Sequence, residues 1–259
     1  MTTLPFFQVD AFAERPLTGN PAAVIPLDQW LDDALMQAIA AENNLSETAF
    51  TVPSDKDDVD FNLRWFTPTI EVPLCGHATI AAGHVLITGD AVRFSTRSGV
   101  LTVSRDGDLL RLDLPASGVE RGDLPGLGEA LGVTGETFVG EGAESAAIVL
   151  LENERSVLAV RPDFAALRSL PDLVIVTAPG DEHSVASRVF AVPCGIDEDP
   201  VTGAAHAALV PFWAKRLGRR EFTAYQASER GGVLHCREAG ERVILSGHCV
   251  TVIEGYFQL

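Results

Sequence analysis

Two periodicities divide the chain between them. Phe7, Val9 and Ala11 fall at every second position, as do Leu63 and Trp65, the spacing of strands with one face inward. Val100-Leu101-Thr102-Val103, then Asp106-Gly107, then Leu109-Leu110-Arg111-Leu112 reads as a hairpin that turns at the Asp-Gly pair. Helical spacing is rarer. Leu31, Leu35, Ala38 and Ile39 predict a helix over 28–43, stopped at Asn43-Asn44. Two more helices are expected at 78–86 and 204–217, each led in by glycine and small residues and continued by a nearly unbroken apolar stretch. A helix apolar on all sides belongs inside a fold.

The same pattern occurs twice. Arg64-Trp65-Phe66, then Cys75-Gly76-His77-Ala78-Thr79, matches Arg188-Val189-Phe190, then Thr202-Gly203-Ala204-Ala205-His206, with three more residues between the parts of the second copy. Downstream, Gly99-Val100-Leu101 with Gly107 matches Gly232-Val233-Leu234 with Gly240, at the same eight-residue interval. A duplication of this kind organises a fold and has precedence over single motifs. Between the copies, residues 116–142 are rich in glycine and lose periodicity, which suggests a linker and a boundary near Ser117. The expected organisation is α+β: two similar domains, 1–116 and 117–259, each a β-barrel-like sheet around one central helix. The last strand, near 250–259, has the option of returning to the first domain.

Composition narrows the function classes. Of 259 residues, 46% are hydrophobic and 21% charged, enough apolar material for a substantial core. Nineteen Lys and Arg against 36 Asp and Glu give a net charge of −17, which repels nucleic acid and anionic membrane alike, so neither partner is expected. Met1 to Phe12 has no basic segment followed by an apolar stretch, and no run of 18 apolar residues follows, so a soluble, cytoplasmic protein is expected. Cysteines 75, 194, 236 and 249 form no CxxC pair and read as reduced thiols.

The candidate chemistry sits where elements meet. Two glycine-marked helix N-termini present unpaired backbone N–H groups and the positive end of the helix dipole, which suit a carboxylate or another small anion. If both face one cleft, the cleft is the active site. Glu47 lies at the junction of the first helix and a strand, on the face shared with Ala49 and Thr51. It is either a solvated charge at an element end or a general acid/base. His77, at the mouth of the first central helix, is either structural or catalytic. Asp199 precedes the second central helix and either caps it or meets substrate. Cys75 aligns with Thr202, whose hydroxyl does not ionise near neutrality, so a racemase with two opposed thiols is excluded at these positions. Gly126 to Gly132 has the wrong spacing for a dinucleotide loop and no βαβ context, so no nicotinamide or flavin site is expected. HExxH, GxSxG and P-loop motifs are absent, and no Cys/His spacing suggests a metal.

At these residues the chain resembles the PhzF family of phenazine-biosynthesis-like isomerases, within the diaminopimelate-epimerase-like fold. The matching pieces are Phe7-Gln8-Val9-Asp10-Ala11-Phe12, Gly19-Asn20-Pro21-Ala22-Ala23-Val24, Asn44 to Phe50, Cys75-Gly76-His77-Ala78-Thr79 and Glu198-Asp199-Pro200-Val201-Thr202-Gly203. The resemblance implies cofactor-free isomerisation in a cleft between two domains, often in a homodimer. In the phenazine enzyme a glutamate moves a proton between ring carbons of a dihydro-hydroxyanthranilate. Glu47 matches that glutamate, and His77 and Asp199 match residues that hold and polarise substrate. Gly76, Thr202 and Gly203 are then the substrate-binding positions at the helix mouths. Ala204 replaces the family's serine, which puts the phenazine substrate itself in question. Two other readings stand beside a cofactor-independent isomerase of a small carboxylated metabolite: an amino-acid epimerase using Cys75, and a non-catalytic small-molecule-binding protein.

Overall fold

The computed structural model describes residues 2–140, 146–171 and 173–259. By contact the chain falls into two units, Met1–Leu114 with Ser246–Leu259, and Pro115–Leu245.

In the first unit, strand Thr3–Ala11 lies between Cys249–Gln258 and Asn20–Pro26, antiparallel to both. Asn20–Pro26 then runs parallel to Glu47–Pro53, which is antiparallel to Phe61–Phe66. Phe61–Phe66 meets Ala91–Thr96 in parallel, and the hairpin strand Gly99–Asp106 follows, antiparallel to Ala91–Thr96 and to Leu109–Pro115. The sheet curls around the helix Gly76–Leu86, which touches the strands beginning at Thr3, Asn20, Glu47, Gly99 and Cys249. Every residue from Gly76 to Gly83 is buried, so nearly the whole helix is core.

The second unit repeats this order of pairings. Glu136–Gly140 is antiparallel to Ala146–Leu150, which runs parallel to Leu173–Pro179; that strand is antiparallel to Val185–Ala191. Val185–Ala191 runs parallel to Glu221–Gln226, and Gly232–Ala239 follows antiparallel. Its central helix is Gly203–Leu217. Phe212 packs edge-on against Phe138 and the Trp213 indole donates to Thr177 Oγ1 at 3.0 Å, so the helix is tied to both the Glu136–Gly140 and the Leu173–Pro179 strands. Pro211 lies within this helix and has no N–H to give Ala207. The backbone N–H of Ser117 takes its place on the Ala207 carbonyl at 3.0 Å.

The duplication extends to an ion pair. Arg64 forks onto Glu71 (Nε to Oε1 and Nη2 to Oε2, both 2.8 Å), and Arg188 forks onto Glu198 at 2.7 and 2.8 Å. Each guanidinium also lies 5.2 Å from a phenylalanine ring two residues on, Phe66 or Phe190. The partners are seven and ten residues apart, which is the three-residue insertion seen in the sequence.

Three boundaries differ from expectation. The first helix is Asp33–Asn43, starting five residues later than 28, because Asp32 is extended at ψ 142° and forms the N-cap. Leu31 keeps its apolar contact from outside the helix, in the same cluster as Met36, as a staple before the cap does. The first central helix begins at Gly76, two residues earlier than expected. Residues 116–140 are no linker: they carry the strand Val119–Arg121, the helix Leu127–Leu131 and the strand Glu136–Gly140, while residues 141 and 142 lie outside the described residues. Leu127, Ala130 and Leu131 are buried in the second unit's core, so the glycines around them delimit a short helix. Gly126 and Gly132 take φ of 85° and 66° at its two ends.

Gly83 is where the first central helix passes closest to the sheet. A Cβ there would stand 2.5 Å from Val103 Cγ1 and 2.7 Å from its Cβ. Gly83→Ala is therefore expected to lower the unfolding free energy by about 1–3 kcal/mol, read by chemical denaturation. Addition of Val103→Ala should recover part of that loss, and equal stabilities for all four proteins would contradict the close approach.

Candidate active site

Glu47 opens its strand one turn of chain after Asn44, whose left-handed φ of 49° ends the preceding helix. Phe50 and Val52 face the outer helix Asp33–Asn43 in one cluster. The opposite face, with Glu47, turns inward to the central helix. The solvated reading of Glu47 is thereby excluded: the residue is 8% exposed. Its Oε2 lies 3.1 Å from Nε2 of His77, yet the approach is off the hydrogen-bond direction, and both atoms are buried without a hydrogen-bond partner.

The other ring nitrogen is flanked twice. Nδ1 of His77 lies 3.1 Å from the Asn20 amide nitrogen and 3.5 Å from the Cys75 sulfur. Burial, reinforced by the Glu47 carboxylate, pushes the Cys75 thiol up to about 11, so the sulfur is a neutral S–H near neutrality. For His77, burial opposes the charged ring, but Cys75 and Glu47 outweigh it and hold the imidazole well above its usual value. With the thiol neutral at ordinary pH, Glu47 is the partner that sustains this.

Glu47, Cys75 and His77 form a group of potential metal ligands, with one atom from each within 4.8 Å of the others. Spacing along the sequence gave no sign of it, because Glu47 arrives from a different element. The shortest contacts run to opposite edges of the ring, Cys75 to Nδ1 and Glu47 to Nε2.

In the second unit, Asp199 and Thr202 come together. The Thr202 hydroxyl donates to Asp199 Oδ2 at 2.5 Å, and both residues are buried. Gln226, fully buried at the end of its strand, ties the turn: its Oε1 accepts the Thr202 N–H at 2.9 Å, and its Nε2 donates to the Asp199 carbonyl at 2.7 Å and to Thr202 Oγ1 at 3.1 Å. Gly203 follows as the first residue of the helix. At both central helices the N-cap residue, Cys75 or Thr202, makes no side-chain cap, so Gly76 and Gly203 open helices whose first N–H groups receive nothing from that side chain. One turn in, Thr79 Oγ1 bonds the Cys75 carbonyl and His206 Nδ1 the Thr202 carbonyl, a further repeat-related pair.

Asn20 and Gln226 are the residues that sequence reasoning assigned no role. Asn20 belongs to the Gly19-Asn20-Pro21 stretch, and Gln226 has no local signal, since its partners are 24 and 27 residues away.

Residues 9–255 match the family model for phenazine biosynthesis-like proteins (PhzC-PhzF), and the chain belongs to that family. An uncharacterized isomerase of Pseudomonas aeruginosa is 51% identical over 263 residues, covering 99% of each chain. A crystal structure of a PhzF-family protein from Enterococcus faecalis superposes with a TM-score of 0.92 at 43% identity, covering 100% of both chains. A hydroxyproline epimerase from Agrobacterium vitis, solved with trans-4-hydroxy-L-proline, gives a TM-score of 0.69 at 14% identity over 98% of this chain and 92% of that one, a likeness of fold alone. The epimerase-like architecture expected from the sequence is thus the one found. No helix among the described residues is long and apolar enough to cross a membrane.

Proposed function

We propose that the protein is a cofactor-independent isomerase of a small carboxylated metabolite, with Glu47 as the general acid/base that takes a proton from one carbon and returns it to another. The observation that carries this reading is the buried Glu47 carboxylate with an oxygen unclaimed by any hydrogen bond, 3.1 Å from His77. A base that moves protons between carbons needs a free lone pair in a site shielded from water. His77 holds and polarises the substrate beside it. The N–H groups opening the helix at Gly76 provide positive potential for a carboxylate, and Thr202 and Gly203 offer the same at the second helix. Asp199, held by Thr202, contributes a polar contact to substrate. Full-length relatives named as isomerases support the class of reaction.

The test is solvent deuterium incorporation into a panel of small cyclic and acyclic carboxylates, followed by NMR and mass spectrometry. Exchange at a defined carbon supports the isomerase. Tight binding of a panel compound with no exchange, unchanged in Glu47→Gln, supports a binding protein instead.

The epimerase alternative requires Cys75 to act as a base. A thiol held near 11 and 5% exposed is poorly suited to that role. Cys75→Ala is therefore expected to keep exchange within about tenfold of wild type, below the 10²–10⁴ range for loss of a general base. A loss as large as that of Glu47→Gln would return Cys75 to the chemistry.

A further inference from the structure

The His77 ring has a carboxylate at one edge and an amide at the other, and the sheet explains why. Strand Asn20–Pro26 pairs in parallel with the Glu47 strand so that Ala22 stands beside Glu47. Asn20 is two residues before Ala22 and shares its face, so Asn20 and Glu47 sit on one face of adjacent strands, offset by about 7 Å along the chain. The first turn of the central helix delivers His77 between them. Nδ1 meets the Asn20 amide nitrogen at 3.1 Å and Nε2 meets Glu47 at 3.1 Å.

The segment before Asn20 is built to hold that position. Gly19 has φ +67°, and a Cβ there would run into the Ala11 carbonyl, so the chain turns closely against its neighbouring strand. Asn20 itself pairs with Ala11 in that strand. Leu17, at the unusual φ of 69°, gives its N–H to the fully buried Asp10 carboxylate at 2.7 Å. Strained backbone persists where surrounding structure fixes it. Asn20 is 0% and His77 2% exposed, so water does not compete for this contact.

We propose that Asn20 is a positioning residue: its amide grips Nδ1 of His77 and keeps Nε2 turned to the Glu47 carboxylate. An amide suits a ring that gains and loses a proton. It donates through Nδ2 to a bare Nδ1, and after a half-turn accepts through Oδ1 from a protonated one. Asp accepts only from an Nδ1 that carries its proton, and Ala serves neither state. The proposal rests on the Glu47–His77 site described above, but its test needs no substrate, so it fails or stands separately from the exchange assay.

The experiment is a pH titration of the His77 ring nitrogens by long-range ¹H–¹⁵N NMR in the full chain labelled at histidine. Wild type, Asn20→Asp and Asn20→Ala are compared, with thermal unfolding as the fold control. In wild type above the ring's pKa, well-separated Nδ1 and Nε2 shifts of one tautomer are expected. Asn20→Asp, equal in size, should raise the His77 pKa by at least about one unit through the added charge, and Asn20→Ala should give shifts averaged between tautomers. Averaged shifts in wild type, or a His77 titration unchanged in both variants, would overturn the proposal. A structural role alone would change unfolding without moving the ring's tautomer. Averaged wild-type shifts overturn the proposal even if a variant does not fold.

Discussion

Glu47→Gln is expected to slow solvent deuterium incorporation by about two to four orders of magnitude while the protein stays folded. The substitution keeps the side chain's size and its place at the start of the strand but replaces the basic oxygen with an amide. Because Glu47 Oε2 makes no hydrogen bond, the change breaks no network that holds the sheet. The circular dichroism spectrum should be unchanged. A second readout comes from the neighbour. The Glu47 carboxylate helps to hold His77 well above its usual value against burial, so Gln at 47 should let the imidazole pKa fall. Wild-type exchange in Glu47→Gln would remove the general base from the mechanism. An unmoved His77 titration would show that the two groups do not communicate.

Stability is expected to fall between pH 6.5 and 4 by up to about 3 kcal/mol through one histidine. Burial lowers the His206 pKa to about 4, against the helix hydrogen bond to Thr202 that raises it. The ring is fully enclosed, its Nδ1 bonded to the Thr202 carbonyl and its Nε2 without a partner. A base whose folded pKa is depressed stays neutral in the native chain while the unfolded chain takes up a proton below 6.5. The unfolded state thus binds more protons across that window, and the native state loses stability as the pH falls through it. His77 has the opposite sign: its raised pKa adds stability that is complete below 6.5 and is lost as the pH rises through the raised value. Urea unfolding of wild type and His206→Gln from pH 7 to 4 isolates the effect, because carboxylate titrations are common to both. Parallel curves would mean that His206 protonates as freely in the native state as in the unfolded one.

Some of this was legible from local pattern. The hairpin turning at Gly107 stands as read, with Gly107 at φ 62°, because the alternation and the Asp-Gly turn are complete within a dozen residues. The central helices were legible because they are apolar all round. The glycine-rich stretch from 116 misled for the converse reason: Gly126 and Gly132 punctuate a five-residue helix too short to show a period, and its burial depends on the distant strands that cover it. Helical spacing carries the first helix back to 28 because Leu31 has the right period, whereas Leu31 packs from outside the cap.

For the site the division is sharper. The sequence by itself determined the duplication, the two buried helices with glycine-marked mouths, and the residue types at Glu47, His77, Asp199 and Thr202, since each is written in a contiguous stretch. Only the tertiary structure decided that Glu47 is buried, that Asn20 reaches His77 across 57 residues, that Gln226 closes the Asp199 turn, and that the last strand pairs with the first. Those facts depend on strand register and on what covers each face. A one-residue slip in register would turn Glu47 or Asn20 away from the helix without changing a single letter of the local motifs.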